Sequence, residues 1–390
     1  MPTPRDRQAR IATFVVYAVQ GLSFATLLVQ VANLQNRHGL SEGELTLLLL
    51  IVPVLAGVGS VLAGSLAGRL GSRRVLRLAQ PLVAVAVAGA GFAPNVPLLL
   101  PALVLFGLGV GAVDAGMNMQ GVAVERRYAR PVLNGFHCLW SLASVLGALW
   151  VSATAESLPM GVIMAAPMVL AVAGSLYAGP RLCPPEEETV PAAAGPRTFP
   201  WRAIVPLCLA MAFLYVGDAV ISNFNSVYME DILLASPAVV PLAYAAYQAT
   251  TLLVRLGGDL AVRRYGPAAI VRVGGAVATL GFAGIVLAQN QPLGIVAFGL
   301  TGIGLAVVAP QSFSAAGRLD PTGSGVTIAV VNLFNYVGFI LGAMLGLVAE
   351  LTSLRVAFAV PLVLAAGIIL LARGFEPAAR PASPQPYPQP

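Results

Sequence analysis

The sequence of 390 residues contains no lysine, and only 10% of its residues are charged. An average soluble domain carries roughly 25% charged residues, so a water-soluble fold with charged helix faces is excluded. The lack of lysine also excludes the phosphate-binding lysine of a P-loop nucleotide site, and the motifs HExxH, GxSxG and CxxC are absent. We therefore predict no enzyme activity, no metal site and no cofactor.

Cysteine is scarce as well. Cys138, Cys183 and Cys208 form an odd set without metal-binding spacing, so we predict free thiols and neither a zinc site nor a disulfide framework. The first apolar segment, beginning at Ile11, lacks a small-residue cleavage site. We interpret it as a retained helix and not as a signal peptide.

Long apolar runs dominate what is present, since 58% of the residues are hydrophobic. Each run has about 20 residues, enough to cross a hydrocarbon core of ~30 Å as a helix. We predict an all-α membrane protein with twelve transmembrane helices in two pseudo-symmetric six-helix bundles. The predicted spans are 11–35, 45–68, 76–93, 97–122, 133–155, 160–178, 202–228, 237–260, 268–288, 293–316, 325–350 and 354–373.

Proline-rich stretches indicate the domain boundaries. Residues 1–178 are predicted to form the first bundle and residues 202–374 the second. Between them, residues 179–201 contain several prolines and an acidic run, which is typical of a linker. Residues 375–390 are predicted to be a disordered tail because their proline content prevents packing.

The arginines show which side of the membrane each loop occupies. Nearly all lie in segments on the same side as the N-terminus, whereas the opposite loops hold only Arg37 and Arg355. Positively charged loops stay in the cytoplasm, so both termini and the linker are predicted to be cytoplasmic, in a multi-pass protein of the bacterial inner membrane. The net charge of +6 then reflects membrane topology, and no nucleic-acid partner is expected.

The two halves repeat short patterns. The sequence RLG at 69–71 follows the second span, and RYG at 264–266 follows the eighth. The sequence FGL occurs at 106–108 and again at 298–300. Duplicated halves around a site near the bilayer midplane are an architecture of transporters.

Polar and aromatic side chains recur on these spans, several of them at helical spacing. Polar groups facing lipid are costly, so we expect the polar stripes to converge on a central cavity and contact a solute. Each residue is also consistent with plain hydrogen bonding between helices, and that alternative stays open. The substrate-binding candidates are Gln20, Gln30, Asn118, Trp140, Asn225, Tyr247, Gln248, Gln311, Asn332, Asn335 and Tyr336.

Ionisable residues within the spans are the candidates for coupling transport to protons. Asp114 is the strongest, because an acid deep in a membrane helix is a functional residue by default. Asp218 and His137 are the further candidates, although His137 also suits a structural role. Arg255 and Asp259 lie one helical turn apart, which predicts an ion pair between them.

The turn after the second span, GSLAGRLGSRR at 64–74, is similar to the G-x-L-a-D-r-x-G-r-r signature of the major facilitator superfamily. The resemblance covers the whole chain and implies gating roles for Arg69, Gly71, Arg73, Arg255, Asp259 and Arg264. The aspartate of the signature is Gly68 here and Arg263 in the second copy. The signature's salt bridge therefore cannot be carried over, and Asp259 is the candidate substitute.

Within that superfamily the sequence most resembles the fucose-permease-like branch, through DAGMN at 114–118, ERR at 125–127 and NGFH at 134–137. The resemblance implies a secondary transporter of a sugar-like polar solute by proton symport, with Asp114 as the protonatable carboxylate. The branch has glutamate at that position and a second carboxylate in the first span, where this chain has Gln20 and Gln30.

The expected partners are a small solute, protons and the lipid bilayer, with the protein acting as a monomer. Export of a metabolite or antibiotic is the alternative function. A receptor that no longer transports is a third reading, disfavoured because the terminal segments are short.

Overall fold

The computed structural model describes residues 2–40, 42–188, 199–236, 239–320 and 323–376. Within these segments the ordered elements are all helices. They are α1 (Pro4–Leu28), α2 (Val31–His38), α3 (Glu42–Leu70), α4 (Ser72–Phe92), α5 (Val96–Tyr128), α6 (Leu133–Thr154), α7 (Met160–Ala178), α8 (Pro185–Glu188), α9 (Trp201–Val227), α10 (Val240–Tyr265), α11 (Pro267–Leu287), α12 (Gln291–Leu305), α13 (Val308–Leu319), α14 (Val326–Leu351) and α15 (Leu354–Leu371).

Eleven helical segments of the described chain are long and apolar enough to cross a membrane, and the predicted all-α membrane architecture is confirmed. The remaining predicted span, 237–260, corresponds to α10, which has 26 residues but does not reach the same apolarity. Its sequence carries a polar stripe that includes Tyr244, Gln248 and Arg255. This helix packs against α12 of its own half and against α6 of the other half.

Two predicted spans are each built from two helices. The first is divided between α1 and α2, and the tenth between α12 and α13. In the tenth, Pro310 lies in the first turn of α13 and has no amide to donate to the carbonyl of Ala306, which favours the break. The helix α1 begins before the predicted apolar run, because Thr3 and Asp6 form a reciprocal capping box at its N-terminus.

The helices form two groups that follow chain order. In the first, α1 packs against α6 and α7, and α5 packs against α3 and α4. In the second, α9 packs against α14 and α15, and α11 packs against α12 and α15. The two groups meet where α3 lies along α14 and where α6 lies along α10, with α13 also touching α5 and α6.

The first part of the predicted linker packs on the first half. A short 3-10 helix (Gly179–Arg181) and α8 lie there, and the Glu188 carboxylate accepts hydrogen bonds from the amides of Ser72 (3.1 Å) and Arg73 (3.4 Å). These are the first amides of α4, which lack partners within their own helix. Burial raises the pKa of Glu188, while the hydrogen bonds from Ser72 oppose that shift.

Gln120 of α5 fixes the same segment from the side. Its Nε2 donates to Glu188 (3.0 Å) and its Oε1 accepts from the amide of Cys183 (2.8 Å). Burial raises the pKa of the Cys183 thiol to about 12, and the three cysteines are free, as predicted. Residues 189–198 of the predicted linker and 377–390 of the predicted tail lie outside the described residues. Phe375, which we placed in the tail, is fully buried.

Candidate functional site

Asp114 links the two halves of the molecule. It lies in α5, roughly 21 Å from the C-terminal end of that helix at ~1.5 Å per residue. One carboxylate oxygen accepts from Nε2 of Gln20 in the first half (3.0 Å) and the other accepts from the hydroxyl of Tyr336 in the second half (2.6 Å). A change in the charge of Asp114 therefore acts on a contact between the halves.

A second layer of side chains supports Asp114. The Tyr17 hydroxyl donates to Oδ1 of Asn118 (2.7 Å), and Nδ2 of Asn118 donates to the carbonyl of Asp114 (2.8 Å). The ring of His137 lies 5.2 Å from that of Tyr17 and 6.1 Å from that of Phe313. Its Nε2 is buried without a hydrogen-bond partner among the described residues. The structure thus places His137 beside this cluster.

Asp218 belongs to a different cluster, which lies within the second half. Its carboxylate accepts from the hydroxyl of Tyr247, and Nε2 of Gln248 donates to the hydroxyl of Tyr244 at 3.2 Å. Asp114 and Asp218 are therefore both bonded by a tyrosine, but only the Asp114 bond with Tyr336 joins the halves.

Buried acceptor atoms without donors surround the junction between the halves. The side-chain oxygens of Gln20, Asn332 and Asn335 are buried and have no hydrogen-bond partner within the described chain. Leaving such a group unpaired costs about 1–3 kcal/mol, so a ligand hydroxyl that donates to it binds favourably. Asn332 also donates through Nδ2 to Ser60 of the first half (3.0 Å).

Four of the predicted substrate-binding residues have contacts elsewhere. Nδ2 of Asn225 donates to the carbonyl of Ile221 in its own helix (2.8 Å). Gln30 accepts from Asn33 at the break between α1 and α2 (2.6 Å). The remaining two are Trp140, whose ring lies 5.9 Å from that of Phe24, and Gln311, which lines a cavity at the opposite end from Gln30.

The predicted ion pair between Arg255 and Asp259 is wrong. The Asp259 carboxylate accepts from the Asn134 amide (3.1 Å), the Asn134 side chain (2.9 Å) and the Gly135 amide (3.1 Å) at the N-terminus of α6. Arg255 donates to the hydroxyl of Ser141 at 2.5 Å. The unpaired amides and the positive end of the α6 dipole attract the Asp259 carboxylate more strongly than Arg255 does.

Residues of the signature turn contact their own half. Gly71 has φ +80° at the start of α4, where a Cβ would lie 2.5 Å from Pro185. Nε of Arg73 donates to the carbonyl of Gly179 (3.0 Å). Arg69 is exposed, and the Arg264 guanidinium lies 5.3 Å from the Tyr265 ring. Their gating roles stay predictions.

The ends of α5 and α13 add further contacts between the halves. The Ser314 hydroxyl donates to the Glu125 carboxylate, and Arg126 donates to the carbonyl of Gly317. We call this end of the molecule, where α1 begins and these residues lie, the arginine-rich end. The N-terminus of α14 lies here too, and Asp320 of its own half accepts from the amides of Gly323 (3.0 Å) and Gly325 (2.7 Å).

Sequence reasoning missed Tyr17 and Ser60, and it noted Glu125 only as part of the ERR motif without assigning it a contact. Tyr17 precedes Gln20 by one helical turn, and this spacing was available as a signal. Ser60 belongs to a row of small residues at helical spacing with Gly57 and Gly64, which is typical of close helix packing in membranes.

Known proteins with similar sequences are transporters or membrane proteins. An uncharacterized transporter of Sinorhizobium fredii is 30% identical over 91% of this chain and 95% of its own length. An uncharacterized transporter of Yersinia pestis, described as MFS-type, is 29% identical over 90% of this chain and 91% of its own length. The membrane protein MosC of Rhizobium meliloti is 26% identical over 91% of this chain and 86% of its own length.

Solved structures share the fold at low sequence identity. FucP in its outward conformation has a TM-score of 0.76 at 13% identity and covers 94% of this chain and 98% of its own. The human organic anion transporter MFSD10 has a TM-score of 0.78 at 15% identity, over 95% of this chain and all (100%) of its own. The model of the Major Facilitator Superfamily matches residues 13–206 and 207–390. With two matched repeats and full-length relatives, this chain belongs to the Major Facilitator Superfamily.

Proposed function

We propose that the protein is a secondary active transporter that moves a small polar, sugar-like solute across the bacterial inner membrane by proton-coupled symport and alternating access. The observation that supports this most is the position of Asp114 between Gln20 and Tyr336, one from each half. A group that binds a proton and also joins the halves couples protonation to their separation.

The physical argument follows from hydrogen-bond strength. A carboxylate accepts charge-assisted hydrogen bonds that are roughly twice as strong as neutral ones. Ionised Asp114 therefore strengthens the Tyr336 contact and favours the arrangement described here. Protonation weakens the acceptor, so the halves separate more easily at this level. The charge of Asp114 thereby biases one conformation over the other.

The choice of a neutral polar solute rests on the buried amide oxygens of Gln20, Asn332 and Asn335, which accept hydroxyl donors. Two solved structures of this fold are a fucose:proton symporter of E. coli and the proton:xylose symporter XylE. At 16% and 14% sequence identity these structures show only that the fold is shared. The proposed solute class therefore rests on the side chains of this chain.

The proposed orientation puts the arginine-rich end in the cytoplasm, because basic loops remain on that side. The contacts that join the halves through Asp259, Glu125 and Arg126 lie at that end. In this orientation the molecule is closed toward the cytoplasm.

The test is transport by the purified protein in proteoliposomes, with a solute found by screening sugars and other polyols for thermal stabilisation. The Asp114→Asn variant keeps the size of the side chain and mimics a permanently protonated acid. It is expected to exchange solute across the membrane and to lose accumulation driven by a pH gradient.

The matched control is Asp218→Asn, whose tyrosine partner lies in the same half. It is expected to retain pH-driven accumulation. If Asp114→Asn still accumulated solute and Asp218→Asn did not, Asp218 would be the proton carrier and the proposal for Asp114 would be wrong. Solute that leaves the vesicles against its gradient in the wild-type protein would instead favour the exporter function.

A further inference from the structure

A cavity of about 460 Å³ lies at the arginine-rich end, between the two halves. Three arginines line it, each near the C-terminal end of a helix: Arg130 just after α5, Arg263 in α10 and Arg318 in α13. Gln311 and Ser314 add an amide and a hydroxyl to the same wall. Arg130 belongs to the first half, and the other two arginines belong to the second.

The positive charge in this cavity is only partly compensated by the protein. Glu125 is the one acid of the lining among the described residues, and its oxygens already accept from the Ser314 hydroxyl and the Val132 amide. Among the described residues Arg263 makes no hydrogen bond or ion pair.

The negative end of a helix dipole stabilises an arginine beside it, and this explains the position of each arginine on its own helix. It does not explain why three arginines from different helices face the same cavity. Guanidinium groups bind phosphate oxygens through paired hydrogen bonds, and three of them with one carboxylate leave room for a doubly charged anion.

We propose that this cavity binds a phosphate-type dianion, which contacts Arg130 of one half and Arg263 and Arg318 of the other. Because the anion touches both halves, it stabilises the conformation that is closed at the arginine-rich end and slows the transport cycle. The phosphate group comes from free phosphate or from the phosphomonoester headgroup of an anionic lipid, and both sources present a doubly charged phosphate to the arginines.

The test uses the purified full-length protein in phosphatidylcholine nanodiscs and inorganic phosphate as the probe. Binding is measured by isothermal titration calorimetry at constant ionic strength, with chloride as the reference anion. The wild-type protein is expected to bind phosphate, and Arg263→Gln is expected to bind at least tenfold more weakly. Arg272→Gln, an exposed arginine of α11 outside the cavity lining, is the matched control and is expected to bind like the wild type.

Repeating the titration in nanodiscs that contain phosphatidic acid separates the two sources. Loss of phosphate binding there identifies the lipid headgroup as the occupant, and unchanged binding identifies free phosphate; both support the site. No phosphate binding in phosphatidylcholine, or equal losses in Arg263→Gln and Arg272→Gln, overturns it. If Arg263→Gln does not elute as a monodisperse protein, Arg130→Gln takes its place. The measurement needs no transport, so its result is independent of the proposed function.

Discussion

The two helix pairs that join the halves occupy equivalent places in the repeat but hold together differently. Where α6 meets α10, the Asp259 carboxylate accepts three hydrogen bonds from the start of α6. Where α3 meets α14, small residues of α3 allow close approach, and a Cβ on Gly64 would lie 2.6 Å from Cβ of Ala329. One contact depends on charge and the other on shape.

The superfamily signature explains how this difference arises. Its aspartate would stand at Gly68, near Ser324 at the start of α14, where a Cβ would be 3.8 Å from that serine. The amides of Gly323 and Gly325, just before α14, instead donate to Asp320 of the same half. A duplicated fold can thus keep a charged contact in one copy and replace it by close packing in the other.

The largest expected effect comes from adding a large side chain at the close contact between α3 and α14. Gly64→Leu adds a side chain where even one carbon is too near Ala329, and overpacking of this kind costs about 1–3 kcal/mol. The population closed at the arginine-rich end should fall roughly tenfold to a hundredfold. Distances between spin labels at Arg74→Cys and Arg272→Cys, with the native cysteines replaced by serine, report that population. Gly257→Leu in α10 is the control, because a Cβ there meets nothing within 4 Å; equal effects of both leucines would contradict the shape argument.

A smaller effect is expected from removing the charge of Asp259 at the contact between α6 and α10. Asp259→Asn keeps one acceptor oxygen but loses the interaction with the α6 dipole, which is worth about 0.3–2 kcal/mol. The same spin labels should show an increase in the open population of about fivefold. Glu188→Gln makes the same chemical change at the start of α4 but within the first half, so it should lower the unfolding temperature without changing the label distances. If the two variants changed the distances alike, Asp259 would have no special role between the halves.

The smallest effect is expected from Ser60→Ala. It removes the hydrogen bonds with Asn332 (3.0 Å) and with the carbonyl of Ala329 (3.2 Å) but preserves the close packing. The Ala329 carbonyl lies inside α14 and keeps its own helix bond, so the lost bond with Asn332 dominates. Hydrogen bonds between membrane helices average about 0.6 kcal/mol, so the open population should rise by roughly threefold. Ser65→Ala is the control, since its hydroxyl donates to Leu62 of the same helix. An effect larger than that of Gly64→Leu would mean that hydrogen bonding, not shape, holds α3 against α14.

The fold was predictable because apolar length and arginine placement are properties of single segments. Eleven of the spans follow from these properties, and α10 was recognised despite its polar stripe. The breaks within the first and tenth spans were harder to predict from the sequence. Pro310 offered a local signal for the break before α13, whereas the break at Gln30 follows no simple residue preference.

The site was only partly predictable because a sequence does not show which helices face each other. Periodicity identified Gln20 and Tyr336, and depth within a membrane helix identified Asp114, but their contact across the halves depends on tertiary packing. The same limit explains the error at Asp259. Its spacing from Arg255 favoured a local ion pair, while the competing amides of α6 are distant in the sequence.

The docking of α8 determines where the polypeptide can be cut. Since Glu188 caps α4 and Gln120 binds Cys183, the first half includes the chain up to residue 188. A gene divided after residue 188 and before residue 199 therefore keeps every described helix whole in one of two fragments, suited to co-expression and reassembly in the membrane. A fragment that stops at residue 178, the boundary drawn from the sequence, would leave the amides of Ser72 and Arg73 without their carboxylate partner.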